Sequence, residues 1–241
     1  FLAFVRNDGD PKLSMTGMLL GSFSNIVLDY VFIFPLGMGM FGAAFATGLA
    51  PVISIGVMSV HLLKKRNQFH LKKEKLNIHK VVELCGTGAS SFITEISSGI
   101  VLIVFNIVIL GLRGNTGVAA YGVVANLALV VIAIFTGVAQ GVQPLVSKSY
   151  GSKNKEQLYY ILKYSMILSV VIAVFVYIVV CFSADKLVSF FNKEGNRELS
   201  VLAVNGLHIY FTGFLFAGIN IISSVFFSSM EHSKTGFIIS I

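Results

Sequence analysis

Six stretches of the chain are each long and apolar enough to cross a lipid bilayer, which takes about 20 apolar residues in a helix. They run over Leu13–Leu36, Met38–Leu63, Val81–Leu112, Gly117–Val146, Leu158–Phe182 and Leu199–Met230. In hydrocarbon a segment must satisfy its own backbone N–H and C=O groups, so lone runs of this kind fold as helices. The period-two alternation of a barrel strand is missing, and the runs are too long for one. Only 12% of the 241 residues are charged and 55% are hydrophobic, where a soluble domain averages about 25% charged. The expected fold class is all-α and integral to the membrane, a polytopic helical bundle. Residues 1–5 read as the end of an earlier span and residues 235–241 as the start of a later one. The sequence is therefore read as an internal piece of a longer protein.

Lysine and arginine in short loops mark the cytoplasmic side. With the spans alternating, all 18 basic residues except Arg113, Lys186, Lys193 and Arg197 fall on one side. That side is expected to be cytoplasmic, with loops 64–80 and 147–157 on it, in a multi-pass protein of the cell membrane. The net charge of +7 is then a matter of topology, and no nucleic-acid partner is expected. Loop 64–80 carries seven basic residues against one acid, Glu74. His70 lies in it, with His61 and His79 nearby, so a metal site is conceivable. A basic connector lying against anionic lipid is the preferred reading. Residues 1–63 would then end one bundle, 64–80 link it, and 81–241 form the next.

Small residues and prolines punctuate the spans. Gly17-x-x-x-Gly21 and Gly137-x-x-x-Gly141 are expected to let helices approach closely. Pro51 and Pro144 lie inside spans, where each leaves a backbone carbonyl without its helical partner. Gly37-Met-Gly39-Met-Phe-Gly42 matches a dinucleotide-binding pattern, but it joins two spans instead of following a buried strand, and it reads as a tight turn. No Walker A sequence, Ser-His-Asp set or H-E-x-x-H pair occurs. Neither an enzyme nor a cofactor is expected. Cys85 and Cys181 fall near opposite membrane faces without metal-like spacing, so no disulfide is expected.

What remains is polarity inside the spans. Asp29 stands in the middle of an apolar run, with Asn25 one turn earlier on the same face. A carboxylate at membrane depth is costly, so it is usually functional and paired. Thr47, at a similar depth in the next span, makes a third member of an expected acid pocket that exchanges a proton. The rival reading is a structural network that only locks two helices together. In the third span Ser91, Glu95, Ser98 and Asn106 share one face, which is expected to look at a cavity holding a cation: sodium, a proton or an organic cation. No metal ligand set is identified beyond that possible sodium position at Glu95. Asn126, Gln140 and Gln143 mark a face of the fourth span, and Asn220 one of the sixth. With Asn106 these are candidate substrate-cavity residues, although neutral amides also serve simply to hold helices together.

These residues carry a resemblance. Arg6-Asn-Asp-Gly-Asp-Pro-Lys12, Asn25-Ile-Val-Leu-Asp29-Tyr-Val-Phe-Ile-Phe34, Gly42-Ala-Ala-Phe-Ala-Thr47, and Gly137-Val-Ala-Gln-Gly-Val-Gln-Pro144 with Tyr150-Gly151 together resemble the multidrug and toxic compound extrusion (MATE) transporters. The resemblance implies a twelve-helix protein of two six-helix lobes, of which this chain holds the end of helix 4, helices 5 to 10 and the start of 11. It implies that Asn25, Asp29 and Thr47 join an Asp of helix 1 in a hydrogen-bonded group. It implies that Glu95 stands where some members bind a coupling cation, with Asn220 in place of their helix-10 Asp. The implied activity is antiport: amphipathic, often cationic, small molecules leave in exchange for H+ or Na+ by alternating access. The expected partners are those substrates and the bilayer, with the protein a monomer. The alternatives are a lipid-linked saccharide flippase of the same superfamily and a non-transporting receptor or assembly subunit.

Overall fold

The computed structural model describes residues 1–64, 67, 77–193, 195–230 and 232–240; the side chains at 80, 83, 84, 86–91, 94, 233, 234, 237 and 240 fall outside that description, and Ser91 is among them. All elements among the described residues are α-helices. The chain divides into two compact units, Phe1–Lys75 and Leu76–Ile241.

The first unit holds α1 (Leu2–Asn7), α2 (Pro11–Ile33) and α3 (Gly39–Leu63). Asp-Pro starts α2 because each residue suits its place. Asp10 Oδ1 accepts the Leu13 N–H at 3.1 Å, and Pro11 sits in the first turn, where no N–H is needed. Pro35 follows two residues after the helix ends. Along α2 the buried residues are Ser14, Gly17 and Gly21, a small-residue edge against α3. A Cβ at Gly21 would run into the Ser54 hydroxyl and lie 3.1 Å from the Ala50 carbonyl. Ser54 Oγ in turn donates to the Gly17 carbonyl at 2.8 Å. The first glycine pair thus forms the expected close seam.

The second unit opens with α4 (Ile78–Gly151), which is not one rod. Gly114 has φ 61° and ψ −156°, a region open essentially to glycine alone. Phe105 and Tyr121, sixteen residues apart in sequence, would be about 24 Å apart in a straight helix. Their ring centroids are 5.9 Å apart and stacked. α4 is therefore a hairpin of two antiparallel spans. α5 (Lys155–Phe191) follows, capped by Asn154, whose Oδ1 accepts the Gln157 N–H at 3.0 Å. α6 (Arg197–Thr212), α7 (Phe214–Ser229) and α8 (Ser233–Ser240) complete the unit. The expected single span Leu199–Met230 is in fact a pair, α6 and α7, bent by 45° at Gly213. Gly213 N–H bonds Tyr210 O, three residues back, and a Cβ at Gly213 would lie 3.2 Å from that carbonyl. The local shift to i→i−3 bonding sets the bend.

Four helices among the described residues qualify as membrane spans by length and composition, and the bent pair makes a fifth. The hairpin in α4 raises the traverses to six. The core of the second unit joins the second half of α4 to α5, α6 and α7 through Phe135, Ala173, Leu207, Phe211 and Phe214. Phe135, Leu207 and Phe211 are fully buried. Phe135 stacks on Phe214 at 6.5 Å. α5 reaches this core with small residues, Ser165, Ser169, Ala173 and Ala184, buried along one edge. The second glycine pair departs from expectation. Gly137 and Gly141 are exposed and have nothing among the described residues near their missing Cβ positions. No close seam forms there, because the core-facing edge of α4 passes through Val131, Phe135 and Ala139 instead.

Candidate functional site

The first unit places its polar residues between α2 and α3. Asp29 and Asn25 are both half-buried. Asp29 Oδ1 and Asn25 Nδ2 are each fully shielded and have no hydrogen-bond partner among the described residues. Leaving a buried polar atom unsatisfied costs about 1–3 kcal/mol, more for a charged group. Thr47 is exposed, and its hydroxyl donates to the Ala43 carbonyl in its own helix at 3.0 Å. Thr47 and Asn25 line one groove of about 440 Å³, along with Ser22, Pro51 and Ser54. Pro51 has no N–H, so the Thr47 carbonyl, four residues earlier, lacks its helical donor. The groove therefore gathers the Asn25 amide and the residue whose carbonyl Pro51 leaves without a helical donor, with Asp29 one turn along α2. Asp29 itself does not line it, and no hydrogen bond links these three residues directly.

In the second unit a cavity of about 590 Å³ lies between the end of α4 and the start of α5, lined by Leu145, Gln157, Tyr160 and Tyr164. Two others lie between the arms of the α4 hairpin and α6. One, of about 550 Å³, is lined by Ser97, Ser98, Leu102, Ala128, Tyr121 and Tyr210. A neighbouring one, of about 300 Å³, is lined by Phe105, Arg113, Leu202 and Gly206, and again by Tyr121 and Tyr210. The two tyrosines divide the space. Each offers an aromatic face and a hydroxyl. Ser98 is the one polar residue of its expected face that the cavity takes in. Glu95 is exposed one turn away. Asn106 donates to the Leu102 carbonyl at 2.9 Å and Asn126 to the Gly122 carbonyl at 2.8 Å, both within their own helix. Gln140 is exposed and Gln143 half-buried on the second arm. Pro144 leaves the Gln140 carbonyl without its helical donor, as Pro51 does for Thr47. Asn220, on α7, holds a shielded Oδ1 with no partner among the described residues. None of Glu95, Asn106, Asn126, Gln140, Gln143 and Asn220 lines either cavity.

Sequence reasoning missed Tyr121 and Tyr210 because an aromatic inside a span reads as apolar filling. The available signal was a tyrosine hydroxyl inside an expected span, Tyr121 one turn into the fourth and Tyr210 near the middle of the sixth. No group of three metal-type side chains occurs among the described residues, and His70 lies outside them. Cys85 and Cys181 are free.

A bundle of membrane-length helices with a bent span and partly polar cavities is the architecture of a helical membrane transporter. The MatE family model matches residues 90–241, and the chain belongs to that family. The chain is 27% identical over 224 residues to the multidrug export protein MepA of Staphylococcus saprophyticus, covering 88% of the chain and 49% of that protein. It is 29% identical over 219 residues to the MepA of Staphylococcus haemolyticus, covering 90% and 47%. The chain thus spans about half the length of the relatives it matches. Its fold is that of a structure described as the outward-facing conformation of a multidrug resistance MATE family transporter of the MOP superfamily. The TM-score is 0.88 at 24% identity, over 98% of this chain and 53% of that one.

Proposed function

We propose that the intact protein is a secondary active antiporter that exports amphipathic, often cationic, small molecules across the cell membrane in exchange for H+ or Na+. The single observation that supports it best is the unsatisfied Asp29 Oδ1 beside the unsatisfied Asn25 Nδ2, in a chain whose relatives are described as multidrug export proteins. A carboxylate held at membrane depth without a fixed partner answers to ion or proton occupancy in a way that a permanently paired one does not. Alternating access then follows from differential affinity: the ion shifts the balance between inward- and outward-open states only as far as it binds one of them better. Glu95 takes the corresponding part in the second unit. The aromatic partition of Tyr121 and Tyr210 receives the substrate.

The test is efflux of a fluorescent organic cation from vesicles carrying the intact protein, with a pH gradient or a sodium gradient imposed separately. Efflux driven by one of the two gradients is expected. Unchanged efflux after Asp29→Asn and Glu95→Gln together would refute the coupling assignment.

A further inference from the structure

The connector between α1 and α2 and the last turn of α3 meet around a histidine that plays no part in the transport reading above. His61 is 2% exposed. Its Nε2 lies 2.8 Å from Asp8 Oδ2, and its Nδ1 lies 3.6 Å from Asp10 Oδ2. The carboxylates are themselves sheltered, Asp8 at 8% and Asp10 at 23% side-chain exposure. Gly9 between them has φ +96°, a conformation that glycine adopts freely and that lets both flanking side chains turn onto one ring. The other charged residues on the elements around the ring are Arg6 on α1, Lys12 in the first turn of α2 and Lys64 just past α3. Two aspartates, Asp8 and Asp10, lie within ion-pair distance of the imidazole.

A neutral imidazole has one N–H and one lone pair; only the doubly protonated ring offers N–H on both sides. Asp8 Oδ2 stands at hydrogen-bond distance from one nitrogen and Asp10 Oδ2 at ion-pair distance, beyond hydrogen bonding, from the other, so the positively charged imidazolium is the form that both carboxylates attract. Removal of one proton turns a lone pair toward a carboxylate. We propose that Asp8, His61 and Asp10 form a proton-operated latch that holds the α1–α2 connector against the end of α3. Histidine is the side chain whose ordinary titration falls between about pH 5 and 8. The charge bias puts this end of the unit in the cytoplasm, so the latch reads cytosolic pH. Acidification closes it and alkalinisation loosens it. Its consequence for export rate rests on the antiporter reading; the latch itself does not.

Thermal unfolding of the intact protein tests the latch without any transport. The wild type is expected to unfold about 2–4 °C above His61→Gln at acid pH, a shift of the size one lost contact produces. The gap should close as pH rises through the histidine range, because the ring attracts both carboxylates only while it carries its positive charge. Asp10→Asn, which keeps the cap on α2, should remove much of the same pH-dependent gap, and it serves as the test variant where His61→Gln fails to fold. A gap of constant size at every pH, or none at all, overturns the proposal. A second arm compares substrate exchange at equal pH on both sides of the membrane, where no gradient drives it. The ratio of wild-type to His61→Gln exchange should change with pH. A constant ratio alongside a pH-dependent stability gap overturns the regulatory role. A wild type that exchanges no substrate counts against the antiporter reading alone.

Discussion

Asp29 and Asn25 stand one turn apart on α2, and each holds a fully shielded polar atom that nothing among the described residues bonds. Two unsatisfied groups on one face of a membrane helix raise its free energy together. Anything that satisfies both is bound with that free energy in its favour. Asp29→Asn keeps the shape and removes the charge. Ion-driven efflux by the intact protein is expected to fall by about tenfold or more, the effect of roughly 1.4 kcal/mol of lost coupling. Thermal stability should hold or rise, since a buried carboxylate is costlier than an amide.

Pro51 is expected to act through Thr47. Pro51→Ala supplies an N–H to the Thr47 carbonyl and withdraws that acceptor from the groove. The concentration of H+ or Na+ giving half-maximal efflux should rise several-fold. The helix should be more stable by up to about 3 kcal/mol, the usual cost of an internal proline. A variant that gains stability with unchanged ion dependence would separate the carbonyl from coupling.

Tyr121 and Tyr210 line both cavities between the α4 hairpin and α6. If the partition takes organic cations, Tyr→Phe at either position should leave apparent affinity nearly intact, because the ring face remains. Tyr→Ala should weaken it by an amount worth about 0.5–2 kcal/mol. Direct binding of a fluorescent cation to the purified intact protein measures both. Equal losses for Phe and Ala would assign the role to the hydroxyl.

Gly114 makes the α4 hairpin possible. Gly114→Ala places a side chain in a backbone region that costs about 1–3 kcal/mol outside glycine. A lowered unfolding temperature is expected, with ion dependence unaltered, since neither cavity is lined by Gly114.

Gly218 is held in the core of the second unit. A Cβ there would run into the Phe135 ring and lie 2.6 Å from Ser169 Oγ. Gly218→Ala is expected to destabilise by about 1–3 kcal/mol, the range for overpacking a full core. Phe135→Leu in the same chain should recover part of it. Unfolding of the single and double variants checks the pair.

Length and hydropathy were enough to place six traverses, because a bilayer imposes a length on each. The starts of α2, α5 and α6 were also local matters: Asp10, Asn154 and Asn196 each cap the helix they precede. The seam at Gly17 and Gly21 followed from spacing alone. The same spacing at Gly137 and Gly141 led nowhere, because a small face becomes a seam only when another helix meets it. Asn106 and Asn126 look like cavity residues by periodicity, yet each bonds its own helix; an amide has that option, and only packing decides. Tyr121 and Tyr210 come together because α4 folds back at Gly114 and α6 packs across it. The bend between α6 and α7 depends on which carbonyl Gly213 bonds. His61 meets Asp8 and Asp10 across more than fifty residues of chain. The sequence by itself determined that this protein is a membrane-spanning helical bundle with an acid inside one span, since those properties depend on the composition of single segments. Which polar groups share a cavity, and which ring is clasped by two carboxylates, was decided by tertiary structure, because these relations exist only between segments.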